Sequence, residues 1–339
     1  MRVVATDLHR SHQPRTEFVL GRVVPAFEVP ERAERILEVV REAHAVVEPA
    51  EHGRPPLERV HDPAYLDHLE TAWRDWVAEG GEGPLVADTF ALGGVGGGPP
   101  PPGAEARVGA YTFDASTPIL EGTWPAALAA ADCALTGADL VLGDERAAYA
   151  LCRPPGHHAG RSFSGGYCYV NNAAVAAVAL RDEGGPVAIL DLDYHHGNGT
   201  QEIFWDDPTV LYVSLHANPD VEYPYFTGRP DERGSGGSVL NLPLPFDTGD
   251  DVYLETAGRA LERIAERAPA ALIVSLGLDA HEDDPMGRFG LTDEAFRALG
   301  SMVAALGPPV LVVQEGGYAL GSLGRVVGAF LDAVDQGSA

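Results

Sequence analysis

The stretch that most constrains this chain is Val187–Gln201. It opens with Val187, Ala188, Ile189 and Leu190, an apolar run suited to a strand buried on both faces. The run then turns polar at once. Asp191, Asp193, His195 and His196 crowd into the residues where the strand ends. On an extended backbone Asp193 and His195, two apart, point the same way. A carboxylate and an imidazole aimed together at the end of a buried strand make half of a divalent metal site. A capped strand end with a satisfied histidine is the plainer alternative, but apolar residues would cost far less at these positions.

The pattern around that stretch is rhythmic. Pro30–Ala43 fits an amphipathic helix, and Asp62 caps a second helix with Pro63 in its first position. Thr123 is placed to cap an alanine-rich helix. Strands are expected at Ala147–Cys152, Val187–Leu192, Val210–Leu215, Ala271–Leu276 and Val310–Val313. Helices are expected at Asn171–Arg181, Val252–Ala265, Thr292–Leu306 and Leu323–Val334. Alternation of this kind predicts an α/β chain, a doubly wound and mainly parallel sheet with helices on both faces. No linker divides two cores, so residues 1–339 are read as a single domain. Within it, Ala91–Ala104 is a Gly/Pro-rich surface loop. Its glycines follow no strand and precede no Gly-Lys-Ser/Thr, so it is not a phosphate loop.

The residues just beyond each strand carry the chemistry. Arg153-Pro154-Pro155-Gly156-His157-His158 comes after the first, and Asp191, Asp193, His195 and Asn198 after the second. Asp279, His281 and a run of acids come after another, and Glu315-Gly316-Gly317-Tyr318 after the last. Open α/β sheets place ligands beyond the carboxyl ends of their strands, so these four loops should converge. Asp193, His195 and Asp279 would make a three-ligand site that leaves positions free for water and substrate, the pattern of a catalytic metal. Zinc suits it first, with iron(II) or cobalt acceptable to the same donors. One or both of His157 and His158 would serve as general base and acid, with Asp191 and Asn198 as orienting partners. The Tyr318 hydroxyl, carried after two glycines, would donate to an oxyanion. The turn Ser164–Tyr169 offers glycine for close approach and an aromatic wall. His216 and His281 are candidates for supporting positions, and His61 and His68 are read as structural.

Composition excludes other classes. The chain has 339 residues and a formal net charge of -27, which argues against nucleic acid and favours a small cationic ligand. All 23 basic residues are arginine. The three cysteines, Cys133, Cys152 and Cys168, form no Cys-x-x-Cys pair, so neither a disulfide framework nor a cysteine zinc site is expected. A reducing cytoplasm fits, no signal peptide is read at the amino terminus, and no apolar run is expected to span a membrane.

Taken together, Arg153–His158, Gly166-Tyr167-Cys168, Asp191–Thr200, Asp279 with Asp284-Pro285-Met286-Gly287, and Glu315–Tyr318 resemble the zinc-dependent histone deacetylase superfamily. The likeness runs over nearly the whole chain and is nearest to the bacterial acetylpolyamine amidohydrolases, a class II-like branch. It implies an arginase-deacetylase fold and removal of acetyl from an extended amine, leaning to acetylpolyamines over acetyl-lysine. It pairs His157 with Asp191 and His158 with Asn198. It implies a tunnel lined by Gly166, Tyr167, Tyr223 and Met286. It also implies a structural potassium ion near Asp191, Asp193, His195, Ser214 and Leu215, and it allows a homodimer. One departure stands out. Where polyamine hydrolases carry an acid before the Gly-Thr-Trp at Gly122–Trp124, this chain has Ser116, with Asp114 and Glu121 nearby in sequence. A binuclear ureohydrolase and a non-catalytic acyl-amine binder are the more distant readings.

Overall fold

Alternation along the strands separates two apolar layers. In the computed structural model, which describes residues 1–91, 99–143 and 145–337, Ile189, Ile273, Leu311 and Val313 face one core. Ala188, Leu190, Val274 and Val312 face the other. The strands carrying them are buried on both faces, as a parallel sheet covered by helices requires.

In chain order the elements are β1 (Arg2–Val4), a hairpin of β2 (Thr16–Val19) and β3 (Arg22–Pro25), α1 (Glu31–Ala43), β4 (Ala45–Val47), α2 (Pro63–Ala78) and α3 (Ala104–Arg107). They continue with α4 (Thr123–Leu142), β5 (Ala147–Ala150), α5 (Asn172–Gly184), β6 (Val187–Asp191), α6 (Asn198–Phe204) and β7 (Val210–Ala217). The last are β8 (Val239–Leu244), α7 (Asp250–Arg267), β9 (Ala271–Leu276), α8 (Asp293–Ala305), β10 (Val310–Gln314) and α9 (Leu323–Gly337). Eight strands form one sheet in the order β4-β1-β5-β10-β9-β6-β7-β8, and each pairing in it is parallel. Helices α2, α4 and α5 cover one face, and α1, α7, α8 and α9 the other.

That order explains the convergence of the polar loops. β5, β10, β9 and β6 are consecutive neighbours, so the tails of these four strands emerge side by side at the carboxyl edge.

Several expectations change. The hairpin and the edge strands β4 and β8 are not among the expected elements: β4 is three residues long, and β8 carries Pro243. In the hairpin turn Leu20 (φ 48) and Gly21 (φ 79) are both left-handed, as a tight two-residue turn demands. Gly122, not Thr123, is the residue before α4; the Thr123 hydroxyl instead accepts the Leu120 amide at 2.7 Å. The expectation of no span-length apolar run is also corrected, because α4 is long and apolar enough to cross a bilayer by length and composition. Its apolar side chains are spent on the core between the sheet and α5. Of the Gly/Pro-rich loop, residues 92–98 lie outside the described residues; Pro99–Pro102 are exposed and α3 begins at Ala104.

Candidate active site

β6 ends at Asp191, so Asp193 and His195 lie in the bend beyond it and not on an extended strand. Their convergence comes instead from one local and one long-range hydrogen bond. The His195 amide donates to Asp193 Oδ1 at 2.9 Å, and the Tyr194 amide donates to Asp279 Oδ1 at 2.9 Å. Asp279 arrives from the loop after β9. Ligand atoms of Asp193, His195 and Asp279 all fall within 4.8 Å of one another, and all three residues are buried.

The donor set fits a divalent cation. Burial and the neighbouring Asp193 carboxylate raise Asp279 to about 7, while His157 and His195 hold Asp193 low against the cost of burial. Two buried carboxylates this close repel each other when ionised, and a cation between them relieves that cost. Space is kept by glycine: a Cβ on Gly316 would stand 2.5 Å from Asp193 Oδ2 and 2.7 Å from Asp279 Oδ2. Within the described residues this is the one such cluster, and it offers three ligands. A bridged pair of metals, as a ureohydrolase would need, has no second ligand set there.

Beside the triad lie the two histidines. His157 Nδ1 is 3.1 Å from Asp191 Oδ2, and His158 Nδ1 is 2.7 Å from Asn198 Oδ1. Asp191 also accepts the Tyr212 hydroxyl at 2.8 Å. The ring centroids of His157 and His158 are 4.1 Å apart, yet their environments push them in opposite directions. Burial disfavours the His157 cation, but Asp193 and Asp191 outweigh it and raise His157 to about 10. Burial, His157 and His195 hold His158 far below its ordinary value. Their surroundings favour the charged form of one imidazole and the neutral form of its neighbour, a division of labour suited to acid–base work.

Tyr318 closes the site from the loop after β10. Its amide and that of Ala319 donate to Asp284 Oδ2 at 2.6 and 3.0 Å. Arg32, on α1, donates from Nε to the Gly317 carbonyl and from Nη2 to that of Glu315, at 2.5 and 2.7 Å. Its guanidinium stands 4.7 Å from the Tyr318 ring centroid. Burial raises the phenol well above its ordinary value, so Tyr318 is a neutral donor.

A cavity of about 300 Å³ leads to these groups. Gly166, Tyr167, Tyr223 and Met286 all line it, as do His158, His195 and Tyr318. Gly166 sits at φ +54 against the His158 ring, where a side chain would collide. Its amide donates to Asp114 Oδ2 at 2.7 Å, and so does the Tyr223 hydroxyl, also at 2.7 Å. Ser116 and Asp114 line the cavity, whereas Glu121 is exposed and takes no part. His281 pairs with Asp293 at 3.0 Å, and His216 with Ser214 at 2.8 Å; neither lines the cavity. Ser214 is the register partner of Asp191 on β7, with Leu215 next to it.

Three groups escape the reading of the sequence. Glu315, fully buried, accepts the Gly156 and His157 amides. Glu17, from the hairpin, accepts the Tyr167 hydroxyl at 3.0 Å. Glu222 lines the cavity beside Tyr223. Glu315 stands inside a recognisable motif and Glu222 adjoins a tunnel residue, but Glu17 carries no signal, since nothing in the sequence marks its hairpin.

A buried Asp-His-Asp triad, a polarised histidine pair and a phenol at the carboxyl edge of a parallel sheet define a metal-dependent amide hydrolase of the arginase-deacetylase class. Residues 26–334 match the histone deacetylase domain, and the chain belongs to the histone deacetylase family. It is 46% identical over 328 residues to acetylpolyamine amidohydrolase 1 of Pseudomonas aeruginosa, covering 95% of each chain. It is 44% identical over 342 residues to acetylpolyamine amidohydrolase of Mycoplana ramosa, covering 98% of this chain and 99% of that one. The crystal structure of acetylpolyamine aminohydrolase from Burkholderia pseudomallei superposes with a TM-score of 0.94 at 40% identity, over 98% of each chain.

Proposed function

We propose that the protein removes acetyl from acetylated polyamines. The observation that carries this reading is the cavity above the triad. Among the described residues its lining holds two carboxylates, Asp114 and Glu222, and no arginine, so it suits an aliphatic chain bearing positive charge. The whole-length likeness to enzymes named for that substrate supports it. The alkyl stem passes between Tyr167, Tyr223 and Met286.

Asp193, His195 and Asp279 would hold the metal, zinc by preference, which when bound activates water and polarises a carbonyl. The chain's own groups do the rest. Neutral His158 takes a proton from the attacking water and can return it to the departing amine. His157, held charged by Asp191 and Asp193, stabilises negative charge as it develops. The Tyr318 hydroxyl donates to the carbonyl oxygen as it becomes an oxyanion. We assign a structural potassium ion to Asp191, Asp193, His195, Ser214 and Leu215, and we place the enzyme in the cytoplasm as one domain.

Turnover of acetylputrescine, acetylspermidine and an acetyl-lysine peptide, side by side with Asp193→Ala as blank, tests this. Higher kcat/KM on the polyamines supports it; activity confined to the peptide replaces it with an acetyl-lysine deacetylase.

A further inference from the structure

We propose that Glu222 is the specificity-determining residue of this enzyme, accepting the ammonium group of the substrate chain at the cavity wall. This rests on the reading of the protein as a hydrolase of acetylated amines. That reading leaves open which carboxylate meets the positive charge, since Ser116 stands at the position first expected to be acidic.

Counting donors separates the two candidates. An ionised carboxylate offers about four lone-pair directions. Asp114 is filled by five donors: the Ser116 amide and the Thr117 hydroxyl on Oδ1 (3.2 and 2.9 Å), and the Ser116 hydroxyl, the Gly166 amide and the Tyr223 hydroxyl on Oδ2 (3.0, 2.7 and 2.7 Å). Asp114 therefore builds the tunnel wall and has no direction left for a ligand. Among the described residues Glu222 accepts two donors, the Tyr194 hydroxyl on Oε2 at 2.9 Å and the Tyr223 amide on Oε1 at 3.0 Å. It pairs with no cation among the described residues. Half-buried and lining the cavity, it retains acceptor capacity for an ammonium. Glu17, the third acid nearby, is only 5% exposed and lies behind the Tyr167 hydroxyl.

Glu222 is also held at a fixed place relative to the reacting centre. Tyr194 is fully buried, and its ring packs edge-on against His195, with centroids 4.9 Å apart. The hydroxyl of that rigid ring fixes Glu222 Oε2. A carboxylate set at one distance from the scissile amide selects the charge on the chain and where along the chain it falls. Charge-assisted contacts of this kind in a partly desolvated pocket are worth about tenfold or more in kcat/KM.

The test compares acetylputrescine with N-pentylacetamide, in which a methyl group replaces the ammonium. The quantity read is the ratio of kcat/KM for the charged over the neutral substrate. In Glu222→Gln the ratio should fall about tenfold or more, chiefly through KM, and Glu222→Asp should recover part of it. Asp114→Asn should lower both substrates together and leave the ratio intact. An unchanged ratio in Glu222→Gln, whether both activities drop or neither does, would overturn the assignment while leaving the deacetylase reading standing. Wild-type enzyme that turns over an acetyl-lysine peptide but not acetylputrescine would overturn the polyamine reading, and Glu222's role with it.

Discussion

The carboxylate of Glu315 accepts the backbone amide of His157 at 3.1 Å and that of Gly156 at 2.7 Å. One acid at the end of β10 thus anchors the loop that leaves β5, the adjacent strand. Its other oxygen accepts the Ser275 hydroxyl, at the end of β9, at 3.1 Å. Three neighbouring strand ends are tied together under the histidine pair.

Removing that anchor should be costly. Glu315→Ala leaves two buried amides without an acceptor, about 1–3 kcal/mol each. A lower Tm and lower kcat are expected together. Glu315→Gln keeps an oxygen for the amides and should retain most of the stability. Thermal unfolding with steady-state kinetics checks this; equal Tm for the alanine and glutamine variants would show that the amides find other partners.

Tyr318→Phe deletes one hydroxyl and little else, because Arg32 and Asp284 hold the loop through its backbone. Loss of an oxyanion donor should lower kcat about 100- to 1,000-fold, with the fold unchanged by circular dichroism. Undiminished turnover would remove Tyr318 from the chemistry.

Chelation should abolish hydrolysis, and added zinc, iron(II) or cobalt should restore it. It should also lower Tm, since a ligand bound by the folded state is lost and the repulsion between Asp193 and Asp279 is no longer relieved by it. A chelated protein with unchanged Tm and activity would refute a metal at the triad.

The pH dependence of stability should carry a signature of Glu17. Burial raises its carboxyl from 4.5 to about 7. Between those values the unfolded chain loses the proton and the folded chain keeps it, so stability falls as pH rises through that window. Glu17→Gln removes this contribution. The Tm of the variant relative to wild type should climb from about pH 4.5 to about 7 and then level off. A difference independent of pH would show that Glu17 is ionised in the folded protein throughout.

Much of the site was legible in the chain because its parts are short, local motifs. The strand that turns polar after Leu190, the paired histidines and the tyrosine after two glycines each announce chemistry from neighbouring residues alone. Periodicity likewise determined the parallel sheet, since strands buried on both faces must be apolar throughout. The tertiary structure decided what depends on residues far apart in sequence. Strand order placed β5, β10, β9 and β6 side by side, and no local pattern encodes which strands become neighbours. The bend after Asp191, set by hydrogen bonds to Asp279 some 85 residues on, brought Asp193 and His195 together where periodicity alone predicts an extended strand. The same holds for the acids of the cavity. Asp114 and Glu222 differ in role only because one is saturated by donors from distant loops and the other is not, and that count exists only once the chain has folded.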